Sequence, residues 1–226
     1  MTDGLRAPTR RYDYETDGAA IYERSFATVR AEAAGALAGL DPALATVMVR
    51  VIHAAGDVEV HRDVAAHPGV VAAARDALRA GAPVLTDSHM LASGITRRRL
   101  PADNEVVCTL RDERVPGLAQ AWSTTRAAAA VSLWERHLEG AVVAIGNAPT
   151  ALFHLLEMIA DGAPRPAAVV GMPVGFIGSA ESKRALATHE LPGGGQVPWL
   201  VVHGRRGGSA MAAAAVNALA TEAEIA

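Results

Sequence analysis

The chain has 226 residues, half of them hydrophobic, and its 21 basic and 24 acidic residues give a net charge of −3. This length and composition suit one domain with a buried core. The scattered basic residues argue against a nucleic-acid groove, which needs a basic face, and no apolar run reaches the roughly 18 residues of a membrane span. We therefore expect a single α/β domain over residues 1–226 that binds neither nucleic acid nor membrane.

The beginning of the chain offers no helix or strand signal. Residues 1–11 contain three arginines and little apolar content, which predicts a flexible tail. No charged region followed by an apolar region, the pattern of a signal peptide, opens the chain, and the single cysteine, Cys108, cannot form an internal disulfide. These features lead us to expect a cytoplasmic protein.

Helices are predicted in the first third of the chain. One begins near Thr16, has Asp17 in its first turn and carries apolar residues at helical spacing. Another covers about Pro68 to Ala80. Together they place helices ahead of the β-rich part of the sequence.

A better-marked helix lies between these two, in "DPALATVMVRVIHAAG". Asp41 is a suitable N-cap, Pro42 occupies the first helical position, and Gly56 suits the residue that ends the helix. His53 is therefore expected in the last turn. A lone histidine in an apolar helix is usually a packing residue, so the pattern alone leaves a packing, metal-ligating or catalytic role open.

After residue 80, short apolar runs rich in β-branched residues alternate with helical stretches. Runs of this kind are typical of parallel strands that are buried on both faces, and the alternation predicts a doubly wound, mainly parallel five-stranded sheet with helices on both faces. The runs are "APVLTD", "NEVVCTL", "AVVAIGN", "AAVVGM" and "VPWLVVHG". The helical stretches are Thr124 to Leu138, Pro149 to Ala160, Ala180 to Ala187 and Ser209 to Glu222.

Ligands of such sheets bind beyond the carboxyl ends of the strands, and the segments expected there are rich in glycine, small hydroxyl residues and arginine. Arginine binds carboxylates and phosphates through paired hydrogen bonds, so the pattern favours a large anionic ligand. For any single arginine, solvated surface charge is the alternative. The arginines are Arg97, Arg98 and Arg99, Arg126, and Arg205 with Arg206.

Other chemistries find weaker support. "GFIGSAESK" and "GRRGGSAM" match neither the P-loop nor GxGxxG, and no G-x-S-x-G elbow is present. The histidines and acids between residues 53 and 89 lack zinc-ligand spacing, so no metal site is predicted. Cys108 is expected inside a buried strand, where a packing role is more common than nucleophilic catalysis.

Seven segments of the sequence resemble the precorrin-8X methylmutase family of the cobalamin pathway. They occur in order between about Tyr12 and Leu219. The segments are "IYERSFATVRAEA", "VMVRVIHAAGDVEV", "GAPVLTDSHMLASGITRRRLPADNEVVCTL", "TTRAAAAVSLW", "GAVVAIGNAPTALFHLLEMI", "VVGMPVGFIGSAESK" and "GRRGGSAMAAAAVNAL".

The resemblance implies a flavodoxin-like α/β fold, a homodimer with the active site near the subunit interface, and an isomerase without a dissociable cofactor. The implied reaction moves a methyl group from C-11 to C-12 of the macrocycle of precorrin-8X and gives hydrogenobyrinate as a tightly bound product. Neighbouring enzymes of the pathway are candidate partners. A cobalt-precorrin-8 methylmutase and a non-catalytic tetrapyrrole carrier remain as alternatives.

The resemblance also assigns residues. His53 matches the family's catalytic histidine, a proton donor to the ring nitrogen. Histidine suits this role near neutral pH, and the negative end of a helix dipole stabilises imidazolium by about 0.3–1 kcal/mol. Asp87 and Asn147 match family segments but are explained equally well as turn caps. The resemblance assigns the substrate-binding positions to Tyr22, Ser25, Thr96, Arg97 and Arg126.

Overall fold

Both faces of the central sheet are buried, and the side chains of its strands alternate between two hydrophobic cores. The protein is described by a computed structural model covering residues 6–221. Along Val142–Ile145, Val142 and Ala144 pack beneath one layer of helices, while Val143 and Ile145 pack beneath the other. All four side chains are completely buried. This two-sided burial explains the continuous apolar runs in the sequence.

Six strands form the sheet. They are β1 (Val64–Ala66), β2 (Val84–Thr86), β3 (Val106–Val107), β4 (Val142–Ile145), β5 (Ala168–Gly171) and β6 (Trp199–Val202). Their order is β1-β6-β5-β4-β2-β3. Strands β2 to β6 are parallel to one another, and β1 alone is antiparallel, with Val64 opposite Val202 of β6. The parallel strands therefore end at one shared edge of the sheet.

The expected five strands all form, but the expectation of a five-stranded sheet is wrong by one strand. The additional strand, β1, has three half-buried residues and lies at the edge. It directly follows a 3-10 turn at Val58–Asp63 and is too short to produce a recognisable apolar run. Its existence depends on pairing with β6, which lies far along the chain.

Eleven α-helices occur within residues 6–221. The layer that covers one face contains α1, α3, α4, α5 and α11, and the opposite face packs against α7, α8, α9 and α10. A second 3-10 turn lies at Arg97–Arg99. The helices are α1 (Gly18–Glu32), α2 (Ala34–Leu37), α3 (Pro42–Ala55), α4 (Val70–Arg79), α5 (His89–Gly94), α6 (Val115–Ala121), α7 (Arg126–Ser132), α8 (Glu135–Leu138), α9 (Pro149–Ala160), α10 (Ser179–Thr188) and α11 (Ser209–Leu219).

Helix α3 has the boundaries predicted from its sequence signals. The Asp41 carboxylate accepts hydrogen bonds from the backbone N–H groups of Ala43 and Leu44 at 2.9 and 3.1 Å, and Gly56 ends the helix with a φ of 63°. His53 lies in the last turn, as expected. At α1, however, Asp17 is the N-cap rather than a first-turn residue, because its carboxylate satisfies N–H groups that have no partner within the helix.

Several other boundaries differ from the predictions. The stretch predicted as one helix over residues 124–138 forms α7 and α8, which are separated at Leu133 and the buried Trp134. Helix α11 ends at Leu219, and Glu222 lies outside the described residues. The short helices α5 and α6 carry too few residues for a clear helical period.

Cys108 lies just beyond β3 and is half-buried, so its predicted place inside a buried strand is wrong. Burial raises the pKa of its thiol, which disfavours the nucleophilic thiolate.

Residues 6–11 are exposed and form neither helix nor strand, while 1–5 lie outside the described residues. Between residues 6 and 221, every helix is too short or too polar to cross a bilayer. The organisation as a single domain stays a prediction.

Two strand exits meet at Gly207, where the backbone leaves no room for a side chain. A Cβ atom at this position would lie 2.3 Å from the carbonyl oxygen of Met172, which follows β5. The φ of Gly207 is +155°, which is unfavourable for other residues. The next residue, Gly208, donates its N–H to the same Met172 oxygen at 2.8 Å.

We expect Gly207→Ala to lower the free energy of unfolding by at least roughly 2–3 kcal/mol, because both strain and a backbone clash result. Gly35→Ala is the matched control, since an added Cβ on α2 meets nothing within 4 Å. Chemical denaturation of both variants measures the difference. Equal stability of Gly207→Ala and the wild type would contradict the described geometry.

Candidate active site

Helix α1 packs against the C-terminal end of α3 and brings Ser25 to His53. The Ser25 hydroxyl oxygen lies 3.0 Å from Nδ1 of the imidazole, and both side chains are half-buried. A hydroxyl group can accept a hydrogen bond from a protonated Nδ1 or donate one to a bare Nδ1. The contact therefore supports the ring in both protonation states and leaves Nε2 for a ligand.

Aromatic side chains of α1 pack against the imidazole of His53. Phe26 stacks on His53 with ring centroids 4.8 Å apart, and Tyr22 makes a tilted contact at 5.5 Å. The guanidinium of Arg50 lies 5.3 Å from the centroid of the Phe26 ring. Phe26 is thus placed between a histidine and an arginine on α3 and fixes the position of both through stacking and a cation–π contact.

Two neighbouring clefts open beside these rings. The histidine cleft, of about 290 Å³, has His53 in its wall. The arginine cleft, of about 360 Å³, has Tyr22 in its wall. Other residues that line the clefts are Ser25, Glu32, Gly56 and Asp57 in the histidine cleft, and Arg50, Thr96, Arg98, Arg99 and Asn217 in the arginine cleft.

The two clefts differ in charge. Arg50, Arg98 and Arg99 supply guanidinium groups to the arginine cleft. Burial lowers the pKa of Arg99, but arginine remains charged at any physiological pH. This cleft suits carboxylates, which guanidinium groups bind through paired hydrogen bonds. The histidine cleft has two carboxylates, Glu32 and Asp57, beside its imidazole.

The predicted site residues are only partly brought together. Tyr22, Ser25 and His53 are in contact, and Thr96 shares the arginine cleft with Tyr22. Arg97 is exposed on its 3-10 turn between the cleft residues Thr96 and Arg98.

Arg126 is separate from this group. It is the exposed first residue of α7, and its Nη2 lies 3.5 Å from the carbonyl oxygen of Leu110. The roles of Arg97 and Arg126 in substrate binding stay predictions.

Three residues of the site were missed by sequence reasoning. Arg50 precedes His53 by three residues, a spacing that places both on one side of a helix and could have indicated it. Phe26 follows Ser25 directly. Asn217 carried no signal, because its partners lie more than 120 residues away: its Oδ1 accepts from the N–H of Thr96 at 2.8 Å, and its Nδ2 donates to the Gly94 carbonyl at 3.0 Å.

Asp87 has a capping role at the carboxyl edge of the sheet. It follows β2, is 3% exposed, and its carboxylate accepts from the N–H groups of Gly146, Asn147 and Ala148 at 3.0, 2.9 and 2.8 Å. Burial raises the pKa of Asp87, and the three N–H groups oppose that shift. Of the two explanations offered by the sequence, the turn cap is therefore sufficient. Asn147 takes part through its backbone.

None of the sequence-predicted site residues lies in a metal-binding cluster or in the groove beside α7 and α8. Over residues 6–221, no three side chains of His, Cys, Asp or Glu are grouped closely enough to hold a metal ion. A groove of about 510 Å³ lies beside Arg114, Ser132 and Arg136, and it contains none of the predicted site residues.

Known proteins share both the sequence and the fold. The family model described as precorrin-8X methylmutase matches residues 20–222. A precorrin-8X methylmutase from Sinorhizobium sp is 58% identical over 209 residues, covering 92% of this chain and 97% of that protein. The chain belongs to the precorrin-8X methylmutase family. Members of this family are isomerases of cobalamin biosynthesis.

Two further relatives place the chain within this family. The crystal structure of precorrin-8x methyl mutase from Thermus thermophilus superposes with a TM-score of 0.76 at 42% identity, covering 89% of this chain and 96% of that chain. A cobalt-precorrin-8 methylmutase from Priestia megaterium is 36% identical over 179 residues, which is 79% of this chain and 77% of that protein. Of these two relatives with known names, the precorrin-8X methylmutase is more similar to this chain than the cobalt-precorrin-8 methylmutase.

We expect Asp87→Asn to lower the free energy of unfolding by roughly 2–4 kcal/mol, because an amide NH₂ would face backbone N–H groups that need an acceptor. Asp161→Asn, at the exposed C-terminal end of α9, is the matched control and should change stability by less than about 0.5 kcal/mol. Denaturant titrations of both variants test this. Similar effects of the two substitutions would refute the capping role.

Proposed function

We propose that this methylmutase moves a methyl group from C-11 to C-12 of precorrin-8X to give hydrogenobyrinate, with His53 as the proton donor to the neighbouring ring nitrogen. The observation that supports it most is the contact between Ser25 Oγ and His53 Nδ1 at the wall of an open cleft. It orients an imidazole so that Nε2 can meet a substrate.

The proposed chemistry needs a reversible proton donor. A methyl group migrates more easily between adjacent ring carbons when protonation of a nearby nitrogen withdraws electrons from the conjugated system. His53 gives the proton from Nε2 and keeps the one on Nδ1, which donates to the Ser25 oxygen. Because substrate and product of an isomerase have the same composition, the proton returns to Nε2 as the product forms. Histidine is suited to this exchange near neutral pH.

Binding of the macrocycle is assigned to both clefts. Tyr22, Ser25, Thr96, Arg97 and Arg126 are the proposed substrate-binding residues. The guanidinium groups of the arginine cleft support a substrate that carries several carboxylates. Holding the macrocycle rigid beside a fixed imidazole uses orientation and preorganised charge rather than covalent catalysis.

We extend the proposal to the assembly and the setting. A homodimer with the active site near the subunit interface would allow Arg126, which lies apart from the described clefts, to approach a substrate. The five parallel strands are proposed to be a flavodoxin-like core to which β1 is added. We further propose that the enzyme works in the cytoplasm without a dissociable cofactor, binds its product tightly and can pass it to neighbouring pathway enzymes.

Cobalt-precorrin-8 is the second candidate substrate, since a family relative carries that name. The higher identity to a precorrin-8X methylmutase favours the metal-free macrocycle. A non-catalytic tetrapyrrole carrier is the candidate from another functional class. An oriented histidine in the wall of a cleft favours a catalyst over a carrier.

The test is an absorbance time course with precorrin-8X for the wild type and His53→Ala. Loss of the proton donor should lower turnover by at least about 100-fold while substrate binding persists. Ser25→Ala should lose about tenfold, the effect of one hydrogen bond. His137→Ala, on α8 in the opposite helix layer, is the control and should retain wild-type turnover.

Turnover of His53→Ala at the level of His137→Ala would remove His53 from the mechanism. If the wild type converts only the matched cobalt-containing substrate, cobalt-precorrin-8 methylmutase becomes the favoured function. Binding of both substrates with no spectral change in the wild type would support the carrier.

A further inference from the structure

Arg206 joins three segments of the chain at the rim of the histidine cleft. It lies in the loop between β6 and α11, and its Nη2 is 3.3 Å from Oδ2 of Asp57, which follows the end of α3. Its Nη1 is 3.6 Å from Oδ2 of Asp63, the last residue of the first 3-10 turn. Asp57 also belongs to the wall of the cleft that contains His53.

Contacts on both sides hold this arrangement in place. The backbone oxygen of Arg206 accepts a hydrogen bond of 2.6 Å from Nζ of Lys183, a completely buried side chain. Burial lowers the pKa of Lys183 to about 8, against the opposing effect of Asp63. The other oxygen of Asp57, Oδ1, accepts from the N–H of Glu59 at 2.9 Å. The backbone of Arg206 and the Asp57 carboxylate are therefore each held by a hydrogen bond besides their ion pair.

The charges at this rim conflict with the proposed substrate. Asp57 and Glu32 both line the histidine cleft, and Asp63 adds a third carboxylate near its edge. Charges separated by less than the Debye length of about 8 Å interact without complete screening at physiological salt. A macrocycle that carries several carboxylates would therefore be repelled as it approaches His53, unless the rim is neutralised.

The ion pairs themselves explain little stability. The Arg206 and Asp57 side chains are 45% and 41% exposed, and pairs this open to water contribute little to the stability of a fold. Both terminal nitrogens of Arg206 already face carboxylates of the protein. The neighbouring Arg205 has a different partner, the ring of Phe176, at 5.1 Å from its centroid. This geometry favours electrostatic compensation of Asp57 and Asp63 as the role of Arg206.

We propose that Arg206 is a specificity-determining residue that shields the carboxylates of Asp57 and Asp63 and so admits a polyanionic macrocycle to the histidine cleft. It acts through Asp57 and Asp63 and makes no contact with the substrate. The proposal rests on the proposed function in one respect, the anionic character of the substrate.

The test is a titration of hydrogenobyrinate into the wild type, Arg206→Gln, Asp57→Asn and the double variant. Because Arg206→Gln removes the shield, this variant should bind hydrogenobyrinate roughly 5- to 10-fold more weakly than the wild type at low salt. Asp57→Asn should bind at least as tightly as the wild type, and the double variant should return to within about twofold of it. High salt should reduce the defect of Arg206→Gln, because salt screens the exposed carboxylates.

Two other results would contradict the proposal that Arg206 shields the carboxylates. A double variant as weak as Arg206→Gln would indicate a direct contact between Arg206 and the ligand. Equal losses in Arg206→Gln and Asp57→Asn would indicate an ion pair that only maintains local structure. Thermal unfolding of each variant identifies loss of fold, and Arg206→Lys, which keeps the charge, should bind within about twofold of the wild type.

Turnover of precorrin-8X by the same proteins separates this proposal from the proposed function. The shield predicts that Arg206→Gln raises KM by the factor seen in binding and leaves kcat within about twofold. A fall in kcat alone would contradict it. A wild type that binds hydrogenobyrinate but does not convert precorrin-8X would refute the methyl transfer. The binding measurements on the two single variants and the double variant would still test the role of Arg206.

Discussion

The position of α3 in the core determines where the imidazole of His53 lies. Its buried residues, among them Val49, Val51 and Ile52, pack with α11 and α1 above one face of the sheet. Burial ends within one residue, since Ile52 is 1% exposed and His53 is half-buried. The imidazole therefore lies at the boundary between a rigid core and solvent, where a substrate can reach it and the backbone beneath it cannot move easily.

Phe26 connects the rigid core to both clefts. It is 1% exposed and contacts His53 on one side and Arg50 on the other. One buried ring thus contacts a wall residue of each cleft, and Tyr22 lines the arginine cleft while contacting His53. In the proposed reaction, one cleft holds carboxylates of the substrate and the other supplies the proton. The common support keeps the distance between these two functions constant.

How much the sequence predicts depends on how local the cause of each feature is. The helix ends at Asp41 and Gly56 follow from neighbouring residues, and so does the place of His53 in the last turn. The five parallel strands follow from runs whose burial on both faces leaves a clear pattern. The proposed role of His53 came from resemblance to a family, since a lone histidine in an apolar helix is more often a packing residue.

The features that escaped prediction depend on contacts between distant parts of the chain. Strand β1 exists through its pairing with β6, and Asn217 anchors the loop at Thr96 across more than 120 residues. Arg206 meets Asp57 only because the loop after β6 lies beside the residues that follow α3. Such pairs have no characteristic spacing, so they become visible only when the fold is known.

The most direct test is a crystal structure of the complex with hydrogenobyrinate. The proposed mechanism predicts Nε2 of His53 at about 2.6–3.2 Å from the macrocycle nitrogen nearest C-11 and C-12, with the Ser25 hydroxyl still at Nδ1. A macrocycle bound away from His53, or one that contacts Nδ1 after displacing Ser25, would contradict the role of His53 as the oriented proton donor.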